Sequence, residues 1–219
     1  MSVLSFKLEG SIIYTLLKLI FKVTLRLFLG YKVYGTENIP PQKGLILASN
    51  HASFLDIPSL ICGTSRRIYF VGRSNLFPIP GLRKVIKWLG WIPIKENTFD
   101  RVGFGRAKQL VETRNVVAIF PEGTRTKTGR VGEGRPGLGY IVFKTGCSVV
   151  PVYISGTYEA LPIGAKWIRF HPITIAYGNP INFQNYFSLH RKEFYKRVNK
   201  AVMTEISQLE NLYSAQKNI

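Results

Sequence analysis

Residues 45–56 read LILASNHASFLD, and this stretch decides the fold class. It opens with a continuous apolar run that ends at Ser49, which is typical of a strand buried on both faces. A polar loop follows at once, and residues 56–62 then have the spacing of a short helix. A buried strand that leads through a loop into a helix is the repeating unit of a parallel α/β sheet.

The same alternation continues towards the C-terminus and predicts a mostly parallel central sheet flanked by helices. We predict strands at 45–49, 67–71, 91–94, 116–120, 149–153 and 168–177. We predict helices at 56–62, 82–89, 98–114, 137–145 and 188–213. In such sheets, binding sites gather in the loops at the carboxyl ends of the strands.

The composition restricts the class of protein. The chain has 219 residues, of which 46% are hydrophobic, and this suits one sizeable domain with a core. The formal net charge of +18 favours anionic partners, namely nucleic acid, an anionic membrane face or phosphorylated substrates. No zinc-finger, basic-zipper or RNA-recognition pattern occurs, so nucleic acid is not expected.

Two further patterns exclude other kinds of site. Cys62 and Cys147 form no Cys-x-x-Cys pair, so no metal site is predicted. The Gly-x-Gly-x-x-Gly spacing at 132–137 follows a loop rather than a strand, and Pro136 stiffens it. It therefore does not predict a dinucleotide site.

The N-terminal segment has the pattern of an amphipathic helix. Residues 11–30 are mostly apolar, and three cations spaced by four share one helical face: Lys18, Lys22 and Arg26. Such a helix is suited to lie in the headgroup region of an anionic membrane. A helix that covers the domain core is the alternative. We divide the chain into a membrane-associating segment at 1–35 and a main domain at 36–219.

His51 and Asp56 form the first candidate catalytic pair. On a continuous helix, a separation of five residues turns two side chains about 140° apart. The pair therefore meets only if His51 lies in a turn and Asp56 in the first turn of the following helix. The carboxylate would then hold one imidazole nitrogen and leave the other able to take a proton from a hydroxyl group. A structural histidine at a strand end is the alternative.

A second loop, PEGTRT at residues 121–126, follows a predicted strand. Gly123 lets the backbone approach a ligand closely, and Arg125 offers a planar guanidinium for phosphate. Glu122 is a candidate base, or a partner that orients Arg125, and Thr124 completes the candidate binding loop. An ordinary turn with a surface ion pair is the alternative.

The two loops together resemble the signatures of the glycerolipid acyltransferases, whose best-known members are the 1-acylglycerol-3-phosphate acyltransferases. NHASFLD at 50–56 is similar to the first signature of that family, and FPEGTR at 120–125 is similar to its phosphate-binding signature. Their order and separation also match, and VPV at 150–152 is similar to a later strand of the family. The resemblance covers roughly residues 44–153.

The resemblance implies a role for each candidate residue. His51 is similar to the general base of the family, and Asp56 to the carboxylate that orients the base. Arg125 is similar to the residue that holds the phosphate of the acceptor. Arg73 stands where many members carry a lysine before Leu-Phe, which implies a second cation for phosphate. The acceptor hydroxyl would attack an acyl thioester of coenzyme A or acyl carrier protein directly, so no cofactor is expected.

The second signature departs from the family pattern. Where the family has Gly-x-x-Phe-Ile-Asp-Arg, this chain has GWIPIKE at 90–96, so Pro93 replaces Phe and Glu96 replaces Arg. On an extended strand, Lys95 would point to the side opposite to Glu96. The resemblance implies a lysophosphatidic acid-like acceptor, and this departure leaves another lysolipid or a lipid amino alcohol as the alternative.

The charge and the resemblance together imply a place at a membrane. We expect contact with anionic lipids at the cytoplasmic face of the inner or plasma membrane, and a role in phospholipid synthesis. A non-catalytic membrane-binding or lipid-transfer module is the alternative class of function. It explains the charge and the helix at 11–30, but it gives no reason for the pair of His51 and Asp56.

Overall fold

A computed structural model describes residues 3–74, 86, 88–95 and 99–215 of the chain. Within these residues, the apolar runs form the strands β1 (Lys32–Tyr34), β2 (Leu45–Ser49), β3 (Ile68–Arg73), β4 (Trp91–Ile94), β5 (Val116–Ile119), β6 (Ser148–Ser155) and β7 (Thr174–Tyr177). The helices are α1 (Val3–Leu29), α2 (Asp56–Gly63), α3 (Arg101–Glu112), α4 (Gly137–Thr145), α5 (Thr157–Ala160) and α6 (Arg191–Ala215). Most of the helix predicted at 82–89 lies outside the described residues.

The strands form one sheet in the order β1-β7-β6-β2-β5-β3-β4. All neighbouring strands are parallel except β6 and β7, so the predicted mostly parallel α/β sheet is confirmed. Strand β2 lies at the centre, where Leu47 is paired with Ala118 on one side and with Val150 on the other. The carboxyl ends of β2, β3, β4 and β5 therefore meet at one edge of the sheet.

Successive residues of each strand enter two different cores, because side chains alternate across a strand. Leu45 and Leu47 of β2 face the first core, which α1 and α2 cover. Ile46 and Ala48 face the second core, which α3, α4 and α6 cover. Burial on both faces is the reason why the central strands are continuous apolar runs.

Helix α1 lies against the first core and presents an apolar surface on its other side. Its domain-facing side chains enter the first core: Tyr14, Leu25 and Leu29. Lys18 donates a hydrogen bond to the carbonyl of Thr64, so this cation faces the domain. The opposite side is exposed and consists of Ile12, Leu16, Leu19, Ile20, Val23 and Leu27. No helix in the described part of the chain is both long and apolar enough to cross a bilayer.

The strand predicted at 168–177 is wrong in its first half. Only Thr174–Tyr177 is paired in the sheet, as β7, and residues 161–172 form a loop on the surface. Pro172 interrupts the apolar run, and a proline cannot donate a hydrogen bond to a neighbouring strand. The large apolar side chains before Pro172 are therefore exposed rather than buried in the core.

Candidate active site

The loop between β2 and α2 brings His51 and Asp56 into contact. Nδ1 of His51 lies 2.8 Å from Oδ2 of the fully buried Asp56. His51 precedes the helix and Asp56 is its first residue, which is the local geometry predicted from their spacing. Oδ2 also accepts the backbone N–H groups of Ala52 at 2.7 Å and Ser53 at 2.8 Å. Because Oδ2 is an acceptor, Nδ1–H of His51 donates to it, and Nε2 is left as the basic ring nitrogen.

The loop after β5 fixes His51 from the other side. The imidazole stacks on the ring of Phe120 with centroids 3.9 Å apart and an angle of 14° between the planes. The backbone N–H of His51 donates to Oε1 of Glu122 at 2.9 Å, and its carbonyl accepts the N–H of Thr126 at 2.8 Å. The two signature loops are therefore hydrogen-bonded to each other at the histidine itself.

Glu122 is buried and bonds to backbone. Its Oε2 accepts the N–H of Gly132 at 3.2 Å, while its Oε1 accepts that of His51. Burial raises the pKa of Glu122 to about 7, and the two backbone N–H groups act in the opposite direction. The side chain does not line the cavity beside His51, and in the described residues no bond to Arg125 is formed. Glu122 is thus placed to hold the two loops together rather than to act as a base or to orient Arg125, the two roles predicted for it.

A cavity of about 670 Å³ opens beside His51 at the carboxyl edge of the sheet. Among the described residues, four cations line it: Arg73, Lys95, Arg125 and Arg135. Its apolar wall includes Phe54, Val71, Ile94, Phe104, Ile119 and Leu138. Gly123 and Thr124 of the second signature also line the cavity, as their prediction as binding residues requires. A cationic end beside an apolar wall suits an amphiphilic ligand with an anionic head.

Two of the arginines, Arg73 and Arg135, lie against Gly123. Its backbone has φ +69°, and a Cβ atom there would lie 2.9 Å from Cδ of Arg135, so glycine leaves room for the arginine stem. Nη2 of Arg73 lies 3.5 Å from the carbonyl oxygen of Gly123. The guanidinium of Arg125 lies 3.9 Å from the ring centroid of Phe54. Partial burial lowers the pKa of Arg125, and the charge of Arg73 acts in the same direction.

Arg135 is the site residue that sequence reasoning missed. It belongs to the Gly-rich stretch at 132–137, which predicted no ligand site. Its backbone N–H donates to the carbonyl of Pro121 at 2.7 Å, and this bond holds it beside the second signature loop. The sequence held a signal for Arg135, because a cation two residues before the predicted helix at 137–145 follows a strand and lies at the same edge of the sheet as His51.

Lys95 follows the end of strand β4 at Ile94 and lines the cavity. Its N–H donates a hydrogen bond to Oδ2 of Asp100 at 2.9 Å. The orientation predicted for Lys95 relative to Glu96 stays a prediction. Glu96, the other half of the departure from the family pattern, lies outside the described residues.

His51 and the buried Asp56 thus lie beside several arginines at the carboxyl edge of a mostly parallel sheet. A protein-family model described as Acyltransferase matches residues 30–155, which is more than half of the 219 residues. The chain therefore belongs to the acyltransferase family.

Individual relatives agree with this membership. The chain is 34% identical over 142 residues to the chloroplastic 1-acyl-sn-glycerol-3-phosphate acyltransferase BAT2 of Brassica napus, covering 64% of this chain and 41% of that protein. It is 24% identical over 197 residues to a 1-acyl-sn-glycerol-3-phosphate acyltransferase of Bacillus subtilis, covering 87% of this chain and 93% of that one. The chain thus spans about two fifths of the length of the first plant relative.

A solved structure has the same fold. The crystal structure of the 1-acyl-sn-glycerophosphate (LPA) acyltransferase PlsC from Thermotoga maritima superposes with a TM-score of 0.74 at 27% sequence identity. The match covers 90% of this chain and 79% of that one.

Proposed function

We propose that the chain transfers a fatty acyl group from a thioester donor to the hydroxyl of a lysophosphatidic acid-like acceptor. The observation that carries the proposal is the 2.8 Å contact between His51 and Asp56 at the wall of a cavity lined by several cations. The names of the relatives from Brassica napus, Bacillus subtilis and Thermotoga maritima support the same acceptor.

His51 acts as the general base of this reaction. Its Nε2 takes the proton of the acceptor hydroxyl while the hydroxyl oxygen attacks the thioester carbonyl carbon. Asp56 holds Nδ1–H and stabilises the imidazolium that forms. When the tetrahedral intermediate collapses, the C–S bond breaks and the proton on Nε2 passes to the departing sulfur, which leaves as a thiol. No acyl-enzyme is required, because the acceptor hydroxyl is itself the nucleophile.

The cations orient the acceptor. Arg73, Arg125 and Arg135 offer planar guanidinium groups that bind phosphate oxygens in pairs, and Lys95 adds a point charge. With the phosphate held at this end of the cavity, the neighbouring hydroxyl comes within reach of Nε2 of His51. Binding of the phosphate would raise the reaction rate through orientation, since a hydroxyl held in place reacts much faster than one that diffuses.

The enzyme works at the surface of an anionic membrane. The exposed apolar side of α1 would enter the acyl boundary of the bilayer, and the net charge of +18 would attract anionic lipids. We place the protein at the cytoplasmic face of the inner or plasma membrane, where coenzyme A and acyl carrier protein are both available as donors. An acidic carrier protein would also be attracted by the positive charge.

An acyl-transfer assay with the purified protein tests the proposal. It offers lysophosphatidic acid, a neutral lysolipid, a lipid amino alcohol and glycerol phosphate, each with acyl-coenzyme A and with acyl carrier protein. We expect transfer to lysophosphatidic acid, and His51→Ala as the control should abolish it. Transfer to another acceptor alone would reassign the substrate. Binding to vesicles without transfer from either donor would show a non-catalytic membrane module instead.

A further inference from the structure

The loop at 161–172 exposes large apolar side chains side by side. Trp167 is 81% exposed and Phe170 is 80% exposed, and Ile168 between them is 55% exposed. Single exposed apolar residues are ordinary, whereas a group of them in one loop marks a surface that binds something apolar. These three residues form the loop patch.

The loop patch is held by backbone and ring contacts rather than by burial of its own side chains. The N–H of Arg169 donates to the carbonyl of Ala160 at 2.8 Å. The carbonyl of Leu161 accepts a hydrogen bond of 2.7 Å from the hydroxyl of Ser53, two residues after His51 in the first signature loop. The exposed side chains thus project from a segment whose base is fixed to the catalytic loop.

The loop patch connects the outer side of α1 with the mouth of the active-site cavity. The ring of Phe170 contacts that of Phe28, near the end of α1, with centroids 6.2 Å apart. At the other end of the loop, Ile163 is 43% exposed and lines the cavity beside His51. The loop therefore carries exposed apolar side chains at both ends, Phe170 against α1 and Ile163 at the rim of the site.

The composition of the loop indicates a bilayer as its partner. Exposed cations, Lys166 and Arg169, alternate with its apolar residues. Aromatic rings beside lysine and arginine are typical of protein segments at the membrane interface, where the rings enter the headgroup level and the cations bind lipid phosphates. Continuity with the apolar side of α1 would place both surfaces on the same membrane.

We infer that the loop patch inserts into the headgroup region of an anionic bilayer and that Ile163 forms the edge past which the acceptor lipid enters the cavity. The second half of this inference rests on the proposed function, because it requires a lipid acceptor. The first half concerns membrane contact alone and can be tested without catalysis.

Fluorescence quenching tests the insertion. The full-length protein is bound to vesicles of phosphatidylglycerol and phosphatidylcholine, with and without bromine on the acyl chains. We expect brominated lipid to quench the wild-type emission, and most of this quenching to be lost in Trp167→Phe, which keeps an aromatic ring. The two other tryptophans, Trp88 and Trp91, are partly buried and provide the remaining signal. Equal quenching in the wild type and in Trp167→Phe would overturn the inference.

A double variant tests the contribution to binding and entry. Trp167→Ser with Phe170→Ser should weaken vesicle binding roughly tenfold or more, because the apolar area that enters the bilayer is lost. The matched control is Leu212→Ser, which removes a similarly exposed apolar residue from α6 and should bind vesicles as the wild type does. The double variant should also acylate a long-chain acceptor in vesicles more slowly, with a short-chain, water-soluble acceptor unaffected.

The outcomes separate this inference from the proposed function. If the wild type acylates neither acceptor, the proposed function fails, while vesicle binding and quenching still decide on insertion. Full vesicle binding by the double variant would overturn the inference. So would sedimentation of the wild type as a dimer and of the double variant as a monomer, since the loop patch would then bind a second copy of the chain.

Discussion

Oε1 of Glu122 accepts a 2.9 Å hydrogen bond from the backbone N–H of His51, a residue 71 positions earlier in the chain. Its Oε2 accepts the N–H of Gly132, so one buried side chain joins the loop after β2 to two places in the loop between β5 and α4. The two buried carboxylates therefore have different tasks. Asp56 orients the imidazole ring, and Glu122 holds the backbone that carries the ring.

The pKa of Glu122 predicts how stability depends on pH. Burial raises this pKa from its ordinary value of 4.5 to about 7. Between these values the folded chain binds a proton that the unfolded chain has released. The free energy of unfolding should therefore fall by about 1–3 kcal/mol as the pH rises from about 5 to about 7. Urea unfolding of the wild type at several pH values measures this decline.

Glu122→Gln removes this titration and should flatten the curve over the same pH range. Glu112→Gln is the matched control, because Glu112 lies on the exposed side of α3 in an ion pair with Lys108. In Glu112→Gln, the free energy of unfolding should still fall between about pH 5 and pH 7, as in the wild type. Curves of the wild type and Glu122→Gln that run parallel from about pH 5 to 7 would contradict the raised pKa.

Asp56 and His51 should act as one unit. Asp56→Asn keeps the shape of the side chain but removes the charge that stabilises the imidazolium, so kcat should fall by about 10²–10⁴. His51→Ala should lower kcat by at least the same factor. In the double variant, kcat should fall no further than in His51→Ala alone, because the carboxylate acts through the ring. Steady-state kinetics at saturating acceptor measures this, and multiplicative losses would show that the residues act independently.

Those parts of the site that depend on local sequence were predictable. The apolar run at 45–49 predicts a central strand because a strand buried on both faces needs apolar residues throughout. The meeting of His51 and Asp56 follows from the geometry of one turn. Gly123 and Arg125 were found from their residue types in a loop after a predicted strand, and the structure brings both to the cavity beside His51.

What could not be predicted depends on contacts between distant segments. The bond of Glu122 to the backbone of His51 requires two loops to fold against each other, and neither loop contains that information. The same holds for Arg135, whose stem fits over Gly123. The strand predicted at 168–177 failed for a different reason. A run of exposed apolar residues has the same sequence pattern as a buried strand, and Pro172 within the run keeps its first half out of the sheet.

Gly123→Ala should weaken binding of the acceptor. At φ +69° an alanine is strained by roughly 1 kcal/mol, and its Cβ would meet Cδ of Arg135 at 2.9 Å. Displacement of this arginine should raise the KM for lysophosphatidic acid. Gly146→Ala is the matched control, because Gly146 has a similar φ of +64° with nothing within 4 Å of the added Cβ. Gly146→Ala should lower the free energy of unfolding and leave KM unchanged. An equal KM in the two variants would contradict the proposed contact of the added Cβ with Arg135.

Arg135 should contribute to recognition of the phosphate, the role that we propose for Arg125. A charge-assisted hydrogen bond to phosphate contributes about 1.5–3 kcal/mol, so Arg135→Ala should raise the KM for lysophosphatidic acid by roughly 10–100-fold. Arg135→Lys should recover part of this loss, because lysine keeps the charge but not the planar fork. Kinetics with a neutral lysolipid should change little in either variant.

The control for Arg135 is Arg106→Ala, which removes an exposed arginine of α3 that does not line the cavity. It lowers the net charge of the protein by the same amount, so it separates contact with the phosphate from long-range attraction. Long-range attraction weakens with salt, whereas a direct contact in the cavity is screened much less. If Arg106→Ala and Arg135→Ala raise KM equally, and both effects disappear at high salt, Arg135 acts only through the charge of the surface.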